Sequence, residues 1–412
     1  MMTSIGKMVG ALACVGLLVA VALYQAPSQD VSKQEKKQEA PKDVKKDAPV
    51  DDGKLAFVIK PYLQFPTRDS ITIMWETNKP AKGKIEYSEK TPLTEKAEVS
   101  EAKDLHEITL KNLKPSTPYV YKVSVLTDEG EKLETKYLNF MTAVGPDEAY
   151  SFGIIGDTQA NAKVTGQIAA HLFERRPHFV VHCGDVVDDG RSKRMWVHEL
   201  FGPCSELFSY AAVFPTIGNH ERNHANYYKY FSLPKPKYYY QYSYGNADFF
   251  VIDSNKSLKP GTEQYMWLEK ALSESKAKWK FAYHHHPGWS SDADDYGKSW
   301  EGKSVWGDMN ARNLVTLYEK YNLDIAFNGH IHLYERTWPL RGNKVDRATG
   351  VHYITSGGGG GSLEVVANLP SWFKSQCRTD FHYCYVVIHQ GRLEFKVYDV
   401  KGNLFDSFEL NK

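Results

Sequence analysis

At 412 residues the chain is longer than one ordinary core fills, so two domains with additional segments are expected. Hydrophobic residues at 42% and charged residues at 25% are an ordinary soluble globular balance. A formal net charge of +1 supplies no bulk field for nucleic acid and argues against a nucleic-acid binder.

Lys7 precedes an apolar run, MVGALACVGLLVAVALY (8–24), at the short limit for a spanning helix and slightly long for a signal-peptide core. Ala20-Val21-Ala22 offers a small-x-small cleavage pattern. Residues 1–24 are therefore expected to export the chain, as a signal peptide or an N-terminal anchor, the latter giving a membrane tether. Residues 25–54 contain three prolines, no aromatic side chain and balanced charges. Such a stretch buries too little apolar surface to offset its ordering entropy and is expected to be a disordered charged linker.

Residues 55–145 read as an all-β sandwich. SITIMWET (70–77), GKIEYS (83–88), HEITL (106–110), YVYKVSVLT (119–127) and KYLNFMT (136–142) are short, β-branched and aromatic, with turns between them. From 149 to 412, strand-like runs alternate with helical stretches, KVTGQIAAHLFERR (163–176) and QYMWLEKALSES (264–275), which implies an α/β layered domain. The chain returns to strands in HYCYVVIHQ (382–390) and GRLEFKVYDVKGN (391–403). GGGGG (357–361) follows an apolar run and is expected to permit close backbone packing or to form a mobile loop beside a site. Cys377 and Cys384 can pair in an oxidising compartment or remain reduced.

Five apolar runs end in polar loops. SFGII leads to Gly156-Asp157-Thr158-Gln159, HFVVHC to Gly184-Asp185, AVFPTI to Gly218-Asn219-His220-Glu221, KFAY to His284-His285-His286-Pro287, and DIAF to Asn328-Gly329-His330-Ile331-His332. Parallel strands gather such ends at one sheet edge, where a site forms. Two carboxylates, an amide oxygen and three imidazoles are hard-to-borderline donors that suit zinc, iron or manganese. His330 and His332, two apart in extended backbone, face the same way about 6–7 Å apart. Each can reach a different ion of a pair about 3.5–4 Å apart. Asp185, with two oxygens, can bridge. The loop aromatics Trp289, Tyr296, Trp300 and Trp306 either stack on a substrate base or sugar or pack their own loop.

The series GD, GDVVD, GNHE, HHHP and GHIHLYER resembles the calcineurin-like metallophosphoesterases. GHIHLYER with the preceding sandwich resembles their purple acid phosphatase branch, and NLKPSTPYVYKV (112–123) resembles the tyrosine-corner stretch of fibronectin type III-like modules, with Tyr119 or Tyr121 as the corner. The resemblance implies a fibronectin III-like β-sandwich followed by an α/β metallophosphoesterase domain, a two-sheet sandwich flanked by helices. It implies that Asp157, Asp185 and His332 hold one ion, that Asp185, Asn219, His285 and His330 hold the second, and that His220 protonates the leaving group. Two positions depart from the family. Asp188 stands where the branch has a tyrosine ligand, and Gln159 where the superfamily has a histidine, so Gln159 is a ligand only through its amide oxygen. The implied activity is metal-dependent hydrolysis of a small-molecule or polymer phosphate ester, as a phosphomonoesterase. The competing expectations are a phosphodiesterase and a catalytically silent binding module.

Overall fold

The first domain is antiparallel β-structure throughout, in a computed structural model that describes residues 53–292, 295–296, 303–366 and 370–412. Strand β1 (Phe57–Gln64) pairs with β2 (Ile71–Ser88), and β2 also pairs with β3 (Glu95–Leu110) and β4 (Pro118–Leu126). β4 carries β5 (Lys132–Glu134) and β6 (Leu138–Met141). The two strands expected at 70–77 and 83–88 are one. Register slips between Glu76, Ala81 and Gly83 bend β2, so its first half pairs with β1 and its second with β4. HEITL is only the end of the long β3. Lys114 N–H donates to Tyr119 Oη at 2.9 Å, which makes Tyr119 the corner. Tyr121 instead donates its hydroxyl to Ser209 O, 2.8 Å away in the second domain.

All five apolar runs that precede the polar loops are strands. In the second domain the order is β7 (Tyr150–Ile155), β8 (Phe179–His182), β9 (Ala212–Pro215), β10 (Tyr240–Tyr244), β11 (Ala247–Val251), β12 (Trp279–Tyr283) and β13 (Ile325–Asn328). Then come β14 (Tyr334–Thr337), the short pair β15 (Leu340–Arg341) and β16 (Lys344–Val345), β17 (His352–Ser356), β18 (Lys374–Arg378), β19 (His382–His389), β20 (Arg392–Asp399) and β21 (Leu404–Asn411). One sheet has the order β21-β20-β19-β7-β8-β9 and the other β10-β11-β12-β13-β17-β14-β18. β7, β8 and β9 are parallel, as are β11, β12, β13 and β17. The ligand-bearing ends therefore belong to two sheets rather than one. Phe152 and Phe179 of the first sheet each meet Phe249 of the second with ring centroids 5.4 Å apart, so the sheets pack face to face. Strands buried on both faces read as continuous apolar runs, and β7, β8, β9 and β13 are buried at every residue.

The expected helices form at Ala162–Arg175 and Glu263–Glu274. The first starts where Asn161 Oδ1 accepts the Val164 N–H and ends at Arg176 in the left-handed region. It buries Val164, Ile168, Ala169 and Leu172, and its Thr165 hydroxyl donates to Thr158 O at 3.0 Å in the loop that carries Asp157 and Gln159.

Residues Gly53–Lys412 form one compact unit. Buried Glu76 of β2 binds Lys193 Nζ at 3.1 Å and Lys229 Nζ at 3.0 Å and accepts the Tyr230 hydroxyl at 3.2 Å. Tyr62 donates to Tyr230 O at 2.7 Å. Cys377 and Cys384 do not pair. Cys377 lies opposite Glu335 on β18, whereas Cys384, in the other sheet, donates to Ser356 Oγ. Among the described residues no helix is long and apolar enough to cross a membrane. The apolar run, nearly all of the charged linker and Trp300 lie outside the described residues; Lys54 already accepts a hydrogen bond from Asn78 Nδ2.

Candidate metal centre

The loops leaving β7, β8, β9, β12 and β13 converge at the edge shared by the two sheets. Asp157, Asp185 and His330 hold positive φ angles of 59°, 50° and 72°. Left-handed backbone at non-glycine residues is strained and collects where the surrounding structure dictates side-chain direction. The glycines between strand and ligand have a steric reason. A Cβ at Gly218 would stand 2.1 Å from Asp185 Oδ1, and one at Gly361 would stand 2.5 Å from His332 Cε1. The glycine run 357–361 is thus close backbone packing: Gly359 N–H donates to Gly156 O and Gly361 N–H to Asp157 O, both at 2.9 Å.

The expected residues come together. Asp185 Oδ2 lies 3.1 Å from His285 Nε2, and Asn219 Oδ1 lies 2.9 Å from the same nitrogen. His332 Nε2 is 3.1 Å from Gln159 Nε2 and 3.7 Å from Asp157 Oδ1. His330 N–H donates to Asp157 Oδ1 at 2.8 Å. Ligands on adjacent corners of an ion with bonds of about 2.0–2.2 Å stand about 3 Å apart, which is the spacing seen. Two sets of side chains can each offer an ion three donors: Asp157, Asp185 and His285, and His285, His286 and His330.

The histidine tautomers suit ligation. His285 donates Nδ1–H to Cys183 O at 2.9 Å, and His332 donates Nδ1–H to Ser362 O at 2.8 Å. Each leaves its Nε2 lone pair facing the site. Asp157 Oδ2 and Gln159 Oε1 are buried with no hydrogen-bond partner, the pattern of acceptors reserved for a cation. Charge points the same way. Burial drives the Asp157 carboxyl well above its ordinary range, and burial, then Asp185, pushes Glu221 up to about 8. Burial opposes charge on His285, yet the Asp185 carboxylate holds its pKa up at about 10. Cations bound here would offset the cost of ionising these buried acids and would take the His285 Nε2 lone pair in place of its proton.

His220 sits at the rim. Its Nδ1–H donates to Asp188 O at 2.7 Å, and its Nε2 stands 4.0 Å from Asp185 Oδ2. The Asp188 side chain is 47% exposed and its carboxylate lies 3.3 Å from His220 Nδ1. His284 points away, its Nδ1 bonded to His286 O, its ring toward Tyr318. Trp289 and Trp306 pack the loop rather than face the site. Trp289 is buried under the Arg312 guanidinium, 3.6 Å from its ring centre, and Trp306 meets Phe373. Tyr296 lies 6.0 Å from the His330 ring.

Three more residues line the centre: Glu221 and Asp295, which the sequence did not single out, and His286, one of three neighbouring histidines it left open. Glu221 collects backbone N–H groups from the Asp185 and Gly218 loops. Its place in the GNHE motif was the only sequence signal. Asp295 Oδ2 lies 3.3 Å from His330 Nε2, and His286 stands against both His285 and His330.

Residues 150–334 match the family described as calcineurin-like phosphoesterase. A probable inactive purple acid phosphatase 1 of Arabidopsis thaliana is 27% identical over 363 residues, covering 75% of this chain and 58% of that protein. Purple acid phosphatase 15 of the same plant is 26% identical over 297 residues, covering 62% and 53%. The chain spans a little over half the length of these curated relatives. A purple acid phosphatase from yellow lupin (Lupinus luteus) seeds shares the fold, with a TM-score of 0.76 at 20% identity over 87% of this chain and 74% of that one. Residues 150–334, which carry the converging ligand loops, thus match the calcineurin-like phosphoesterase family, and the chain is similar in sequence and in fold to purple acid phosphatases.

Proposed function

We propose that the chain hydrolyses phosphate esters, monoesters foremost, at a pair of ions held by Asp157, Gln159, Asp185, Asn219, His285, His330 and His332. The supporting observation is that Asp185 Oδ2 and Asn219 Oδ1 each lie about 3 Å from His285 Nε2 at the common edge of two facing sheets, with two buried acceptors, Asp157 Oδ2 and Gln159 Oε1, unpartnered. Asp157, Gln159 and His332 would hold one ion and Asn219, His285 and His330 the other, with Asp185 shared between them. Iron, zinc or manganese bound there would polarise phosphoryl oxygens and lower the pKa of a water toward neutrality.

The chain's own groups orient the substrate and move the proton. Asn219, exposed at the mouth, stands where substrate enters. The Asp188 carbonyl fixes the His220 ring so that Nε2 faces the centre; as imidazolium, His220 donates from Nε2 to the departing oxygen. Asp157, Asp185 and the histidine tautomers keep the donors aligned without rearrangement. The N-terminal β-domain is read as fibronectin III-like from the Tyr119 corner, with a bracing role. Export follows from the apolar run at 8–24.

The test is hydrolysis of an aryl phosphate monoester and an aryl diester by the metal-stripped full chain, before and after adding back zinc, manganese or iron. Metal-dependent turnover faster on the monoester is expected. A chain that binds two ions and turns over neither ester would overturn the catalytic reading in favour of a binding module.

A further inference from the structure

Three histidines follow one another after β12, and the strand's alternation separates them. His284 turns into the core. His285 faces the centre. His286 should turn away again, yet the chain bends at Pro287 and its ring remains beside the centre. Its ring centre is 4.9 Å from that of His285 and 4.4 Å from that of His330. A donor atom from each of these three residues lies within 4.8 Å of the other two. The ring is held: Ser254 Oγ accepts the His286 backbone N–H at 3.0 Å and lies 2.8 Å from its Nδ1. With Nδ1 engaged by the hydroxyl, Nε2 is the nitrogen left for an ion, the arrangement by which outer partners fix a ligating histidine.

We propose that His286 is an additional imidazole ligand of the ion shared by His285 and His330. The inference rests on the metal-centre reading above and makes its two positions chemically unequal. One gathers three imidazoles with the Asn219 amide and a share of Asp185. The other gathers Asp157, the rest of Asp185 and the Gln159 amide around the single imidazole of His332. Imidazole-rich sets favour zinc, and carboxylate-rich and amide-rich sets suit manganese.

The experiment is metal titration of the metal-stripped full chain, with zinc and manganese each alone, against a chromogenic chelator. The unaltered chain is expected to bind two zinc ions with clearly different affinities. His286→Ala should weaken the tighter zinc by about 10-fold or more while the weaker zinc and the manganese affinity change little. Ser254→Ala, which keeps the imidazole and removes its anchor, should show the same selective loss, smaller in size. A measurement on the unaltered chain guards against a misfolded variant: one equivalent of cobalt(II) should yield three paramagnetically shifted, exchangeable imidazole N–H signals. Two such signals, or unchanged zinc affinity in His286→Ala, would overturn the inference while leaving the metal centre intact. Failure of the unaltered chain to bind zinc at all would overturn the metal-centre reading itself.

Discussion

Glu221 reaches no ion, yet four backbone N–H groups point at its two oxygens, those of Gly218, Asp185, Val186 and Val187. The carboxylate clasps the loop of one ligand to the loop of the next. Glu221→Gln places an amide among donors, so at least one buried N–H loses its acceptor, at about 1–3 kcal/mol. The expected outcome is a lower unfolding free energy in urea and metal affinity reduced by about 10-fold, read by chelator competition. Asp188 makes the opposite case. Its backbone carbonyl holds His220, so Asp188→Ala should keep both ions bound and lower kcat by less than about 10-fold, well below the roughly 100-fold or more that losing a proton-transfer group costs. Loss of an ion in that variant would make Asp188 a ligand after all. The two residues show what a linear reading can reach. Asp157, Asp185 and the histidines were legible because each follows a strand as a side chain of ligand type. Glu221 and Asp188 act through backbone N–H and C=O groups, which every residue has. His286 was ambiguous because three identical neighbours differ only in the direction their backbone gives them.

At the scale of elements, the five strands were legible because strands covered on both faces are plain apolar runs. The fusion of 70–77 and 83–88 into β2 was not, since a bulge leaves no compositional mark distinct from a turn. Nor does apolar composition say which of two sheets a strand joins. The glycine run left packing and mobility open, and spatial neighbours decide it. Gly361→Ala must displace the His332 ring and should weaken the ion served by Asp157 and His332 selectively, with His285 and its ion untouched. Gly166 is the control within the helix Ala162–Arg175, where the nearest atom to an added Cβ is 3.8 Å away. Gly166→Ala should stabilise the protein by about 0.5–1 kcal/mol, measured by denaturant unfolding, and leave metal binding unchanged.

For the whole molecule, acidity is a folding variable. Burial, then Arg336, lowers the pKa of His352 to about 4, and burial lowers that of His382 to about 4 as well. In the unfolded chain both titrate near 6.5. Between those values the unfolded state binds protons that the folded state refuses, so stability is complete above about pH 6.5 and falls as the pH drops toward 4. Each residue should cost about 2 kcal/mol by pH 5. Urea unfolding of the metal-stripped chain at pH 7 and pH 5 should show this loss, and His382→Gln should reduce it by about 2 kcal/mol. An unfolding free energy equal at both pH values would contradict the burial of these rings as neutral groups.

The Glu76 contact has a consequence for heredity. Its carboxylate ties the β-domain to Lys193, in the stretch after the Asp185 loop, and to Lys229, in the stretch after the Asn219 loop. Glu76→Gln should therefore lower stability by about 1.5–3 kcal/mol and loosen metal binding from outside the second domain. A recombination event that replaced the N-terminal module with another sandwich would strand those two lysines opposite a surface that never evolved to receive them. A graft of the second domain onto a new partner would therefore have to carry the acid across with it.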